Sequence, residues 1–438
     1  MGGGYVAGPW RRRPAGGDVA GPGRSGDDGR MRTRRAVGTA LVTLLAVVAA
    51  ACSDDTPRQS TGRATGEPLV VGMINMEEAP TGSFPELRRD AEAAVRYVNE
   101  ELGGVNGRPI QLEVCHTAGT PESSQACATR LRARNPVAVL GGIDFHAGSS
   151  LPVFESAGIP YVGMTPALGD ELASRYAFLL AGGLAADLLA QTEYITTTLG
   201  ATKVGVVHLD LPGLQGAAIL AARAILQQKG VTDLRIVSEK GDAADFVPAV
   251  RSATANNPEV LLAVFPAQGC TRVLQAAQSL RVRARLFLPS ACAAQQVFDA
   301  AGSAANGVTF ASGLVPYTES SHPEVATYLE KLREHGPGDA SPSVLSQAGF
   351  SLVMNLHRLL TSIDGAPTGE ALTKKLRSTR DEPSFMGHPY TCDMRQMPLL
   401  PAVCSGSVQL LRHEGGGRFA NVSDGWVTGA ELLKLLTG

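Results

Sequence analysis

Residues 67–114 read EPLVVGMINMEEAPTGSFPELRRDAEAAVRYVNEELGGVNGRPIQLEV. Leu69 to Ile74 is an apolar, partly β-branched run, the composition of a strand covered on both faces. A loop then leads to Ser83, which is expected to cap a helix whose first turn holds Pro85 and Glu86, residues favoured at that end. Leu87, Ala91, Ala94, Val95, Val98 and Leu102 recur at spacings of three and four, one apolar helical face. Gly103-Gly104 stops the helix, and Ile110 to Val114 reads as the next strand.

The same rhythm continues outward. A helix is expected over 120–134, a strand over 137–140, a helix over 149–156 and a strand over 159–162. Helices then follow at 184–199, 215–229, 245–255 and 270–280, alternating with strands at 204–208, 234–237, 260–265 and 286–288. This alternation predicts an α/β fold with parallel sheets covered by helices on both faces. Its repetition predicts two doubly wound lobes. Ligands of such sheets sit outside the carboxyl ends of the strands, so two lobes offer two rims facing one cleft.

The chain of 438 residues is long enough for two cores, and its 44% apolar and 18% charged residues suit a soluble globular protein. A net charge of −2 excludes a broad field that would recruit nucleic acid or acidic lipid. The 32 Arg against 7 Lys reflect GC-rich coding more than physics. No G-x-S-x-G, H-E-x-x-H or G-x-x-x-x-G-K-[ST] motif occurs, and the eight His show no metal spacing. Pairs such as Asp242/Asp245 and Asp381/Glu382 read as solvated loop or cap residues. The reading is a non-enzyme without a cofactor or metal.

Residues 1–30 are Gly-rich with scattered Arg and cannot bury a core, either a basic tail or, preferably, sequence ahead of a true start at Met31. Arg32, Arg34 and Arg35 then precede an apolar run from Ala36 to Ala51, too short to span a membrane and right for an export signal. The run ends in VAAAC, so 31–52 resembles a lipoprotein signal with Cys52 as the acylated residue, although Ala49 replaces the usual Leu. Plain cleavage with an unmodified Cys52 is the alternative. Residues 53–66 form a polar tether. Six Cys remain, in local pairs: Cys115 with Cys127, Cys270 with Cys292, Cys392 with Cys404. Fifteen connectivities are open, and sequence neighbours are the simplest in a chain that reads as exported.

The opening stretch, with Gly72 in its first strand, Pro-Thr-Gly at 80–82, Asn-Glu at 99–100 and GGVNGRPI at 103–110, resembles the Leu/Ile/Val-binding group of type I periplasmic binding proteins. NPVAVLGG, ESAGIPYVG, LGATKVGVVH, DFVPAVRSATANNPEVLLAV and ASGLVPYTES follow in the family's order, so the likeness runs from about Glu67 to about Leu411. The cysteine pairs also resemble those of actinobacterial members. The resemblance implies two lobes joined by three crossovers, near 180–183, 311–315 and 383–397. One lobe would be 67–182 with 315–385, the other 183–314 with 386–438. It further implies a hinge that closes on a small-molecule ligand, an ABC permease with cytoplasmic ATPases as partners, and a monomer held at the outer face of the cytoplasmic membrane by its lipid anchor alone.

The resemblance also places the binding loops. The loop 75–84 offers Phe84, and 143–149 offers Asp144, Phe145 and His146 where amino-acid binders hold the ligand carboxylate. A carboxylate at Asp144 opposes that ligand group unless His146 or the backbone compensates; alternatively Asp144 caps the helix and points away, and His146 is a plain loop residue. The segment 163–168 offers Thr165 and Ala167, with an ordinary turn hydroxyl as the other reading of Thr165. In the second lobe the loop 208–214 offers His208 and Asp210 but lacks the family's usual Tyr-Gly. Phe265 and Gln268 supply an apolar wall and a polar group. Ser290 lies in 289–292, where amino-acid binders place an acid that this chain lacks there. Tyr317, Gln347 and Phe350 are weaker candidates from the interlobe segments. The ligand expected is a small polar or amphipathic molecule such as an amino acid or amide. A surface sensor on the same fold, or a member that has lost ligand binding, are the alternatives.

Overall fold

Two parallel sheets organise the chain. The computed structural model describes residues 62–79, 82–166, 169–210, 223 and 225–436. Cys52, the leader, most of the tether, Ala167 and most of the helix expected over 215–229 lie outside the described residues. In chain order come β1 (Leu69–Met76), α1 (Pro85–Glu100), β2 (Ile110–Thr117), α2 (Pro121–Arg132), β3 (Val139–Gly141), α3 (Ala147–Ser156), β4 (Tyr161–Gly163), α4 (Gly169–Ala173) and β5 (Ala177–Leu179). These five strands pair in parallel in the order β2-β1-β3-β4-β5. β1 lies inside the sheet and is almost wholly buried, as its continuous apolar run requires, whereas the edge strand β2 is buried only in part.

The second set comprises α5 (Gly183–Glu193), β6 (Lys203–Leu209), β7 (Asp233–Glu239), α6 (Val247–Ala253), β8 (Val260–Val264), α7 (Ala267–Ser279), β9 (Arg285–Leu288), α8 (Gln295–Ala301) and β10 (Thr309–Ser312). Its parallel strands run β7-β6-β8-β9-β10, the order of the first sheet repeated. Three antiparallel strands, β11 (Ser407–His413), β12 (Phe419–Asn421) and β13 (Val427–Thr428), extend it beyond β10. The expected two doubly wound parallel sheets are therefore present, the second with an antiparallel extension.

Between β10 and β11 the chain returns to the first sheet. α9 (Pro323–His335) and α10 (Ser346–Thr361) pack on α1, and α11 (Gly369–Ser378) packs on α10. Val403 pairs with Leu179 at the end of β5 before β11 enters the second sheet at Ser407, so by strand pairing this last exchange of sheets falls at 404–406. α10 approaches α1 so closely that a Cβ on Gly349 would stand 2.0 Å from the Leu87 carbonyl oxygen, which only glycine permits. The Tyr328 hydroxyl donates to Asp90 Oδ2 at 2.7 Å, tying α9 to α1; burial pushes Asp90 up to about 7.

Ser83 does not cap α1. Its hydroxyl donates to the Glu77 carbonyl at 2.7 Å, and Phe84 occupies the cap position without a side-chain bond. Pro85 at the first helical position supplies the start instead. The three disulfides join Cys115 to Cys127, Cys270 to Cys292 and Cys392 to Cys404, the sequential pairing. Cys115–Cys127 staples β2 to α2, and Cys270–Cys292 links α7 to the turn after β9.

Candidate functional site

The carboxyl ends of the strands converge on one cavity of about 100 Å³. Ile143 and Phe145 follow β3, Met164, Thr165 and Pro166 follow β4, and Ala181 follows β5. From the second sheet come Leu209 at the end of β6, Val264, Phe265 and Pro266 at β8, Pro289, Ser290 and Ala291 after β9, and Gly313 and Leu314 after β10. Phe84 closes it from the loop after β1, and Val344, Leu345 and Ala348 from the start of α10. Among the described residues, none of those that follow the edge strands β2 and β7 lines it. Gly183 begins α5 at φ +53°, and a Cβ there would lie 2.3 Å from the Pro166 carbonyl oxygen, so this close approach of the two rims rests on glycine.

The lining is mostly aliphatic and aromatic, with Phe84 and Phe145 in an edge-on contact at 6.2 Å. Among the described residues three lining side chains are polar: Thr165, Ser290 and Asp187. The Thr165 hydroxyl is enclosed and has no hydrogen-bond partner among the described residues. Leaving such a hydroxyl unpaired costs on the order of 1–3 kcal/mol, a deficit a ligand group can offset. Asp187, on α5, is 1% exposed. Its Oδ2 accepts from the Ser290 backbone N–H at 2.9 Å and from the Ser290 hydroxyl at 2.6 Å. Burial pushes the carboxyl up to about 6, while the two Ser290 bonds pull it down.

The chain matches the family model described as periplasmic binding protein over residues 68–397, three-quarters of its length. The chain belongs to the periplasmic binding protein family. Solved structures of low sequence identity share its fold. A possible leucine/isoleucine/valine-binding protein from Rhodopirellula baltica superposes with a TM-score of 0.68 at 17% identity, covering 87% of this chain and 100% of that one. A branched-chain amino acid transporter substrate binding protein from Streptococcus pneumoniae, in complex with isoleucine, gives 0.66 at 15%, with 83% and 99% covered. A solute binding protein of an ABC transporter from R. palustris, in complex with 4-hydroxybenzoate, gives 0.67 at 16%, with 85% and 100% covered. Comparison with curated proteins by sequence finds no match. The family is one of binding proteins, and among the described residues no helix is long and apolar enough to cross a membrane.

In this binding protein the residues singled out by sequence divide sharply. Phe84, Phe145, Thr165, Phe265 and Ser290 line the cavity. Asp144 does not: it is fully buried behind the rim, accepting from the His146 backbone N–H at 3.0 Å, the Ser150 hydroxyl at 3.4 Å and the Ser124 hydroxyl. It is turned away from the cavity but does not cap α3, whose cap position is His146 without a side-chain bond. Burial pushes its carboxyl up, against the pull of those bonds. His146 stands at the head of α3 outside the lining. His208 is buried in β6 with Nδ1 2.9 Å from the Leu209 carbonyl oxygen; strand alternation turns Leu209, not His208, to the cavity.

Asp210 and Gln268 are not among the lining residues either. Gln347 is buried and its Nε2 donates to the Val315 carbonyl at 2.9 Å, while its neighbours Leu345 and Ala348 face the cavity. Tyr317 is buried with its hydroxyl unpaired among the described residues, and burial pushes that hydroxyl upward; it does not line the cavity. Phe350 is buried in the packing of α10, in an edge-on contact with Tyr328 at 5.3 Å. Sequence reasoning missed Asp187. The signal was there: a lone acid in the apolar run GGLAADLLAQ, directly after the change of sheet.

Proposed function

We propose that this chain is the extracytoplasmic receptor of an ABC importer, taking one small amphipathic molecule into the cavity between the two sheets by closure about a hinge. The observation that carries the reading is the cavity itself, built from the carboxyl ends of strands in both sheets and from the start of α10. Ligands of doubly wound sheets bind at that end, and a cavity shared by two sheets shields the ligand when they approach. The lobes of this proposal are 67–182 with 315–405 and 183–314 with 406–436, each holding one sheet and its helices. Phe84, Phe145 and Phe265 form the apolar wall, and Thr165, Ser290 and Asp187 hold the ligand's polar end. A membrane permease with cytoplasmic ATPases receives the ligand, and acylation of Cys52 tethers the monomer to the outer face of the membrane.

The test is a thermal-shift screen of the oxidised protein against amino acids, amides, amines, organic acids and sugars. Binding to the native state alone raises stability by about 2.7 kcal/mol at a hundredfold excess over Kd. A shift confined to one chemical class is the expected result. Folded protein that responds to no class across the panel sinks the receptor reading and favours a member that has lost its ligand.

A further inference from the structure

The cavity has a charge pattern that its apolar walls do not dictate. Among the described residues Asp187 is its one ionisable lining residue, and no Lys, Arg or His lines it. Oδ2 of Asp187 is committed to Ser290, whose backbone N–H and hydroxyl both donate to it. Among the described residues no hydrogen bond reaches Oδ1, although the residue borders the cavity and is 1% exposed. Gln191, one turn further along α5, turns elsewhere: its Nε2 donates to the Leu288 carbonyl at 2.7 Å.

A carboxylate held this way is oriented by one oxygen and left with acceptor capacity on the other, in a site with little water to solvate it. The group that satisfies such an oxygen best is a donor carrying positive charge, because a charge-assisted bond is roughly twice as strong as a neutral one. An anion meets the opposite situation, since the described lining offers it no cationic side chain. The rest of the wall, with Phe84, Phe145, Phe265, Leu184 and Leu345, suits a hydrocarbon body.

We infer that the cavity takes a small organic cation, an amine on an aliphatic or aromatic body, with its nitrogen on Asp187 Oδ1. This rests on the receptor reading and names the substrate class of that same site. It also shifts the polar anchor from the loop 289–292 to α5, with Ser290 as the residue that orients the acid. No charged side chain contributes to the proton affinity of Asp187, which is set by burial against the two Ser290 bonds. Acidification therefore neutralises the anchor directly.

The experiment compares three ligands with one isobutyl body: isoamylamine, leucine and 4-methylpentanoate, titrated calorimetrically into the oxidised full chain. At pH 7.5 isoamylamine binds at least tenfold more tightly than 4-methylpentanoate, and its affinity falls about tenfold on going to pH 5. Asp187→Asn, nearly isosteric and able to keep the Ser290 contact, weakens the amine at least tenfold. Tighter binding of 4-methylpentanoate than of the amine, affinity that rises on acidification, or an unchanged amine affinity in D187N each overturns the inference. The wild-type pH profile decides the matter even if D187N fails to fold. A response of the wider panel confined to anions or uncharged solutes also overturns it while leaving the receptor reading intact. Silence across the whole panel overturns both.

Discussion

Two buried carboxylates, one behind the rim of this cavity and one lining it, do different things. Asp144, after β3, is surrounded by donors from Ser124, Ser150 and the His146 backbone. Asp187, on α5, has donors on one oxygen only among the described residues and borders the cavity. Burial raises both groups. The difference is therefore one of partners rather than depth: a carboxylate whose acceptors are filled locally is part of the scaffold, and one left half-filled beside a cavity is available to a ligand. Residue type and proximity to a loop do not separate the two cases.

The comparison is broken most directly at Asp144. Asp144→Ala removes the carboxylate that two hydroxyls and a backbone N–H share, leaving the hydroxyls only the His146 and Ala147 carbonyls, and is expected to cost about 1–3 kcal/mol of unfolding free energy in denaturant titration. An equally large loss of ligand affinity in the surviving folded protein would show that Asp144 belongs to the site after all.

A comparable effect sharpens the comparison at Asp187. The carboxyl is raised from an ordinary value near 3.8 to about 6, so the folded state holds its proton more tightly than the unfolded chain. The stabilisation is complete below about 4 and is lost as pH rises through about 6. Relative to Asp187→Asn, wild-type stability is expected to fall by about 1–3 kcal/mol between pH 4 and pH 7. A flat difference across that window would mean that Asp187 is solvated rather than enclosed.

Thr165→Val gives the smallest change. It removes an enclosed hydroxyl without a partner, so the empty protein should keep or slightly raise its melting temperature. If the hydroxyl bonds the ligand, affinity weakens by a factor of about 2 to 10, the net value of one hydrogen bond. Unaltered affinity for a ligand identified by the screen removes Thr165 from the polar end of the site.

The alternation of apolar runs and helical faces by itself determined the order of elements, because strands buried on both faces and amphipathic helices carry distinct periods. Local cysteine spacing likewise foreshadowed the three bridges. The resemblance to the family's loop order singled out Phe84, Phe145, Thr165, Phe265 and Ser290, which line the cavity, since those loops sit at the carboxyl ends of the parallel strands. Which face each side chain takes was settled only by tertiary structure. His208 and Leu209 are neighbours in β6 that point to opposite sides of one sheet, and Gln347 and Ala348 are neighbours on different faces of α10. Asp187 and Ser290 lie 103 positions apart in the chain, and neither predicts the other. Their meeting depends on how α5 lies against the loop after β9, a long-range packing choice made by the whole second sheet and written in no local pattern.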